Sequence, residues 1–490
     1  MSERENLDQE LRLPEAVELG SLNVVLLILG FIGLLSSNPS ESVFAIVQLK
    51  ILLLSFWRKN TPPFVLLLFL IPWLEISAGI FEANVRGETL NQMLHGSGAK
   101  AYWLGAIGLC AVYLGFYPFF RRSPSQTTDF LKTAASSLSL PRLIIAYFLI
   151  GPLTDQVAGF IGRGSSLYQF VTYLNEISIV LLIIIAVRQV VLADINRLFI
   201  AFFVLATLLS FYSFFSEWRT IIYALFIAFG TTAVLSRKLI IRILVLGVLF
   251  GNVIFVWQAV KPYYRAYLSG QEGNIRSLQS QRVEVSRGEA LAKFAELSGQ
   301  FYSGELGEQI ETITKENELL FSTLRRVGYL ELFALTLNRV PGQIEHTEGN
   351  LTKSNLSFAL IPRFLNPNKG VKNDGATVEE YAGFMVSDAA SFSLGHYTEY
   401  FIDFGSSGMM LALLFFGIAG GLIYQIASKS RITGLNPLLF YALGFVVMEK
   451  WGSFQNDAIF VYGLTFFGAL CHLFIFLPLY RIIIRFASLD

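Results

Sequence analysis

The sequence predicts an all-α integral membrane protein of about 12 transmembrane helices with one large external loop. Of its 490 residues, 54% are apolar and only 15% are charged, whereas soluble proteins carry about 25% charged residues. The mean hydropathy is +0.56, and the apolar residues recur in runs near the roughly 20 residues that cross a bilayer. The 37 basic and 36 acidic side chains nearly cancel, so the chain as a whole has no excess of positive charge that would attract a polyanion. These observations exclude a soluble enzyme, a disordered chain and a nucleic-acid-binding protein.

Twelve apolar segments are candidates for transmembrane helices, each of which needs about 20 mostly apolar residues. The segment 42–57 is the weakest of them, because it is short and contains Lys50. The twelve segments are 22–37, 42–57, 63–81, 102–120, 142–161, 167–192, 198–215, 220–235, 239–260, 400–427, 436–451 and 458–486.

Lys and Arg in the short loops predict the orientation, because cytoplasmic loops are enriched in both. With both termini inside, seventeen of these residues face the cytoplasm and five lie in the short outer loops. The chain then divides into a cytoplasmic acidic tail (1–21), helices 1–9 (22–260), a large periplasmic loop (261–397) and helices 10–12 (398–490). The even number of spans is consistent with this orientation.

The external loop of 137 residues carries fourteen basic and sixteen acidic side chains. Apolar residues at three-to-four spacing predict an amphipathic helix over 305–339 that ends before Pro341, and a shorter helix over 284–297. After Pro341 the sequence is rich in Gly, Pro and Asn, which predicts an irregular loop. Loops of this length are usually functional or disordered, and we expect this one to be ordered on the membrane surface.

Most ionisable residues of the apolar segments fall on the outer side under this topology, where each is costly and therefore a candidate for function. Together they predict a polar cavity that opens outward; the alternative is that they pair with one another. Lys50 and His472 lie nearer the middle. The outer acids are Glu75, Asp155, Glu176, Glu217, Asp403, Glu449 and Asp457.

Cationic residues at the outer surface suit a lipid diphosphate, because guanidinium groups bind phosphate bidentately and stay charged. Arg219 begins a helix after Ser216-Glu217-Trp218, and the loop supplies Arg363 and Lys369. Arginines that reach the lipid headgroups are the alternative.

A third group of residues enters the tenth helix. If that helix begins near Gly395, His396, Glu399 and Asp403 share one face. A histidine with carboxylates one turn away can remove a proton from a hydroxyl; a capping role for His396 is the alternative. No metal-binding spacing supports a metal site, no nucleotide-binding motif is present, and the two cysteines support neither a disulfide framework nor a metal site.

These motifs resemble the bacterial oligosaccharide repeat-unit polymerases, the O-antigen polymerase family. Pro362-Arg363 with Pro367-Asn368-Lys369 is similar to the Pro-Arg stretch of that family's periplasmic loop. Gly395, Glu399, Phe404, Gly405 and Gly408 fit its entry into the following helix, and Ser216 to Arg219 resembles an upstream Ser-x-x-Arg turn. The chain departs from the family at Lys369-Gly370 and at Leu365-Asn366.

The resemblance implies a metal-independent membrane glycosyltransferase of the C type, without cofactor, in the bacterial inner membrane. Such an enzyme transfers a growing glycan from undecaprenyl diphosphate to the next lipid-linked repeat unit. Arg219, Arg363 and Lys369 would bind the diphosphate, His396 or Glu399 would be the base, and Asp403 would complete the catalytic face. Tyr397, with other loop aromatics, would stack on sugars. The expected partners are the lipid-linked oligosaccharide, membrane lipid, a flippase and a chain-length regulator.

Three other functions remain open on the residues alone. An O-antigen ligase shares the architecture and the donor but moves a finished glycan to another acceptor. A flippase for lipid-linked sugars is expected to have short loops, two related halves and charges at all depths. A non-catalytic glycan-binding subunit would keep the aromatic residues without needing the His396 and Glu399 face.

Overall fold

A computed structural model describes most of the chain, and every element it describes is helical. The described residues are 19–58, 61–122, 128–161, 168–210, 218–232, 241, 256–257, 259–261, 263–264, 267, 287–303, 327–361, 366, 374–384, 393–430 and 434–489.

Ten of the described helices precede the large loop. They are α1 (Leu19–Leu34), α2 (Pro39–Phe56), α3 (Phe64–Arg86), α4 (Leu90–Met93), α5 (Gly98–Arg121), α6 (Thr128–Ser136), α7 (Leu140–Ile161), α8 (Tyr168–Val191), α9 (Arg197–Ser210) and α10 (Trp218–Thr232).

The loop and the C-terminal part contain the remaining elements. They are α11 (Arg287–Ser303), α12 (Leu330–Arg339), α13 (Asn350–Leu360), α14 (Asp374–Ala382), α15 (His396–Ser428), α16 (Leu438–Met448), α17 (Ala458–Leu470), a π-helix (Cys471–Ile475) and α18 (Leu477–Ala487).

Five of the described helices are long and apolar enough to cross a membrane: α2, α3, α5, α8 and α15. A sixth span results if the bent pair formed by α17 with the π-helix and α18 is taken as one. Shorter apolar helices cover parts of α1, α7, α9, α10 and α16. The predicted membrane architecture is thus present, while the number of about 12 spans stays a prediction. Most of the predicted ninth span, 239–260, lies outside the described residues.

Helices α5 and α15 form the most extensive helix pair and approach closely because glycines line their contact. A Cβ atom at Gly115 would lie 2.3 Å from the Leu414 carbonyl oxygen, and one at Gly417 would lie 2.2 Å from that of Val112. Small residues permit such approach between membrane helices, whose association depends on van der Waals packing. This pair holds the start of α15, where the predicted catalytic face lies.

Helix α8 lies at the centre of a second group of helices, in which α7, α10 and α16 pack against it. Its segment from Val180 to Val187 is buried at every position, which explains why its sequence is apolar on all sides. Helices α1 and α15 instead expose large side chains such as Leu27 and Phe415, as expected for surfaces that face lipid.

The external loop is more helical than the sequence predicts. The predicted helix over 284–297 is found as α11, and the end of the predicted helix over 305–339 is found as α12; residues 304–326 lie outside the described part. The irregular loop predicted after Pro341 is wrong over 350–360 and 374–382, where α13 and α14 form. Tertiary contacts outweigh the weak local propensity of α13, which packs on α15 and α17.

Two helices that the sequence predicts as continuous are broken. At Gly405, α15 has φ 65° and ψ −172°, a conformation open to glycine. The break frees the Ile402 carbonyl oxygen, which accepts hydrogen bonds from Thr347 N at 3.1 Å and His346 Nδ1 at 3.0 Å. The predicted span 458–486 is bent by 57° between the π-helix and α18.

Candidate functional site

The turn between α16 and α17, residues 449–457, is the point where the candidate side chains meet; we call it the 449–457 turn. Glu75 of α3 and His396 of α15 bond to its main chain, and Glu399 bonds to the residue that follows it. Under the predicted topology this turn lies at the outer membrane surface. Acidic side chains that the sequence assigns to the outer side thus come together here.

His396 is the first residue of α15 and is held by both its main chain and its ring. Its N–H donates to the Asn456 carbonyl oxygen at 2.8 Å, and its ring Nδ1 lies 2.9 Å from the same oxygen. Because a carbonyl oxygen can only accept, Nδ1 carries the proton, and Nε2 of the neutral ring has a free lone pair. Nε2 is buried and has no hydrogen-bond partner among the described residues.

Gly395 fixes the position of His396. Its φ is 79°, in the region that favours glycine, and a Cβ atom there would lie 2.4 Å from the Phe454 carbonyl oxygen. The helix therefore begins one residue later, with its first N–H directed at the 449–457 turn. The prediction that α15 begins near Gly395 is confirmed.

Glu399 and Asp403 are both buried, and each caps the N-terminus of another helix. Glu399 Oε2 accepts the Ala458 N–H at 2.8 Å, at the start of α17. Asp403 accepts the Leu351 N–H at 3.0 Å, the Thr352 N–H at 2.6 Å and the Thr347 hydroxyl, at the start of α13. Carboxylates at helix N-termini satisfy free N–H groups and interact favourably with the helix dipole.

Glu75 belongs to the site but was not among the predicted site residues. Its carboxylate accepts from Ser453 Oγ at 2.8 Å and from Phe454 N at 2.6 Å, and it lies within electrostatic range of Arg219. The signal in the sequence was its position as an acid within an apolar helix. Arg219 is exposed at the start of α10.

The external loop covers this region through Tyr329, which immediately precedes α12. The Tyr329 N–H donates to the Glu75 carbonyl oxygen at 2.9 Å, and its hydroxyl donates to the Ser393 carbonyl oxygen. Burial raises the pKa of the Tyr329 hydroxyl to about 12. The loop is thus attached to α3 and to the segment that leads into α15.

Tyr397 is buried, with its ring centroid 4.8 Å from that of His396 and 4.6 Å from that of Phe454. These contacts place the ring of Tyr397 in the packing around His396, and its predicted role in stacking on a sugar stays a prediction. Arg363, Lys369 and the Ser216-Glu217 turn lie outside the described residues. Their predicted roles stay predictions.

Two of the predicted outer acids each pair with a basic side chain. Glu449 pairs with Lys450 at 3.2 Å. Glu176 lies away from the 449–457 turn and bonds to His472, with 3.0 Å between Oε2 and Nε2. The side chain of Asp155 is not among those described. Of the predicted outer acids, Glu75, Glu449 and Asp457 therefore lie in or contact the 449–457 turn, whereas Glu176 does not.

Within the described part of the chain, no group of three His, Cys, Asp or Glu side chains is arranged to hold a metal ion. The comparisons with protein-family models, with curated proteins and with solved structures find no match for this chain. Fold and site together define an all-helical protein with the spans of an integral membrane protein and a polar site where α3, α15 and the 449–457 turn meet.

Proposed function

We propose that this protein polymerises lipid-linked oligosaccharide repeat units at the outer face of a bacterial inner membrane. It would transfer the growing glycan from undecaprenyl diphosphate to the next lipid-linked unit. The resemblance of the Pro362-Arg363 stretch and of the segment from Gly395 to Gly408 supports this proposal. The observation that carries it is the arrangement of His396, whose Nδ1 is anchored while its unprotonated Nε2 has no partner among the described residues.

In the proposed reaction the acceptor hydroxyl oxygen attacks the anomeric carbon of the donor sugar. The bond between that carbon and the diphosphate oxygen breaks, and the hydroxyl proton passes to His396 Nε2. The lipid diphosphate leaves with the electron pair, and Arg219, Arg363 and Lys369 neutralise its charge. Preorganised cations stabilise such charge more effectively than water does.

The geometry favours His396 over Glu399 and Asp403 as the base. Both carboxylates already accept backbone N–H groups of other helices, whereas His396 Nε2 has no partner among the described residues. We assign them to holding α17 and α13 in place.

His396 Nε2 is enclosed by aromatic rings. The ring of Phe416 lies 4.7 Å from that of His396, and the ring of Tyr400 lies 6.0 Å away. A sugar hydroxyl reaches Nε2 only if these rings move, so the proposed reaction requires an opening step when the acceptor binds.

The test is a gel profile of surface and lipid-linked glycans after deletion of the gene, with variants restored on a plasmid. We expect deletion to remove the polymer ladder while single repeat units still reach the surface. Arg363→Ala and His396→Gln should fail to restore it. Lys293→Ala should restore it, because Lys293 pairs with Glu296 on the external helix α11 and is not part of the site.

Other profiles contradict the proposal. Long polymer retained on the lipid carrier would indicate a ligase, and repeat units retained on the cytoplasmic leaflet would indicate a flippase. A full ladder from His396→Gln would remove His396 from the reaction. Membrane insertion of each variant is checked by its abundance in the membrane fraction.

A further inference from the structure

A second group of polar side chains lies within the membrane domain, away from the 449–457 turn. His472 is fully buried, and its Nε2 lies 3.0 Å from Glu176 Oε2 of α8 while its Nδ1 lies 2.9 Å from Tyr480 Oη of α18. Glu176 retains 22% exposure of its side chain, and Tyr480 is buried. Both ring nitrogens of one histidine are thus used to join two helices.

The π-helix brings His472 to this position. The extra residue that a π-turn inserts rotates the following side chains relative to an α-helix, and such turns are frequent at functional sites. Here the π-helix Cys471–Ile475 lies between α17 and α18, where the span bends by 57°. The irregularity therefore coincides with the polar group.

The hydrogen bonds of this group are compatible with two protonation states. With a neutral ring, Nε2–H donates to the Glu176 carboxylate and the Tyr480 hydroxyl donates to Nδ1, which leaves one negative charge. With a charged ring, Nδ1–H donates to Tyr480 instead, because a hydroxyl both donates and accepts. The net charge is then zero, and neither state leaves a ring nitrogen without a partner or needs a heavy atom to move.

We propose that Glu176, His472 and Tyr480 form an intramembrane site that binds one proton. Uptake converts a buried single charge into an ion pair of zero net charge, which costs less in a medium of low dielectric constant. The partly exposed carboxylate of Glu176 is the entry point for the proton. This inference stands on the geometry alone and is independent of the glycosyl transfer proposed above.

In the described part of the chain, the titratable groups that face the site from its neighbours carry no formal charge at neutral pH. Among the described side chains these are Tyr173 of α8, whose ring centroid lies 6.4 Å from that of His472, and Cys471 of the π-helix, which senses Glu176 electrostatically. Glu176 is the counter-ion that the described side chains provide for a charged His472.

Nitrogen NMR tests the proposal on the full chain in lipid nanodiscs. The protein has four histidines, so labelling with ¹⁵N-histidine gives a small set of signals, and His472→Gln assigns one of them. On lowering the pH from about 8 to about 5, the range in which histidines usually titrate, we expect the His472 signals to move to the positions of a charged ring. In Glu176→Gln they should stay at the neutral positions over the same range.

The chain offers a matched control in the exposed pair His95 and Glu331, where 3.4 Å separates Nε2 from Oε1 and both side chains are about half exposed. Water screens such a pair, so Glu331→Gln should leave the His95 titration nearly unchanged. Tyr480→Phe keeps the ring and removes the acceptor for Nδ1–H, and it should reduce the charged fraction of His472 at the lowest pH. A His472 that stays neutral throughout, or that titrates identically in Glu176→Gln, would overturn the proposal.

Discussion

Replacing Asp403 by asparagine tests whether this carboxylate holds α13 in place. Oδ1 accepts from the Leu351 N–H and the Thr347 hydroxyl, and Oδ2 accepts from the Thr352 N–H. Asparagine has one oxygen and one NH₂ group, so its nitrogen must face one of the two backbone donors. At least one backbone hydrogen bond to a charged acceptor is lost, which costs about 2 kcal/mol.

That loss concerns the first turn of α13 and should appear as local opening. A change of about 2 kcal/mol corresponds to about a 30-fold change in an equilibrium constant. Hydrogen exchange measured by mass spectrometry on peptides covering 347–361 should therefore be faster in Asp403→Asn by about that factor. Thr347→Val, which removes the hydroxyl and keeps both backbone bonds, should have a smaller effect. Unchanged exchange in Asp403→Asn would refute the assignment of Asp403 to capping α13.

Four further outcomes follow from the same contacts. Glu399→Ala should destabilise the start of α17 by about 1–3 kcal/mol, because it leaves the buried Ala458 N–H without its acceptor. Hydrogen exchange of peptides covering 456–470 measures this change. Gly395→Ala should cost about 1–3 kcal/mol in backbone strain alone and lower the thermal unfolding temperature. Gly417→Leu should separate α5 from α15, and the distance between spin labels on the two helices should increase. Gly30→Leu is the control, because a side chain at this position meets open space, and it should leave that distance unchanged. Burial raises the pKa of Tyr329 to about 12, so the contribution of its protonated hydroxyl to the free energy of unfolding should be complete below pH about 10 and lost as the pH rises towards about 12. Tyrosinate absorbance compared with that of Tyr329→Phe checks this.

The positions of the helices could be predicted from the sequence where hydropathy decides them. The segments 63–81 and 102–120 overlap α3 and α5, because a continuous apolar run has no other stable form in a bilayer. The break at Gly405 and the bend after the π-helix could not be predicted, because both depend on partners far along the chain. His346 and Thr347 bind the carbonyl oxygen that the break frees.

The candidate site could be predicted in its residue types but not in their roles. His396, Glu399 and Asp403 lie on the first turns of α15, and the catalytic face that their spacing predicts stays a prediction. The spacing contains no information on the partners of these side chains, which lie more than 50 residues later along the chain: Asn456 of the 449–457 turn for His396 and Ala458 at the start of α17 for Glu399. Glu75 reaches the same turn from more than 370 residues away, a contact that depends on the packed fold and has no local signature.

Polymerisation by the purified protein in liposomes tests the central proposal most directly. The substrate is the lipid-diphosphate-linked repeat unit, and the products are separated by size. We expect the wild-type protein and Lys293→Ala to form a ladder of glycans with release of free lipid diphosphate, and His396→Gln and Arg363→Ala to form none. Unchanged repeat units with the wild-type protein, or a ladder with His396→Gln, would contradict the proposal.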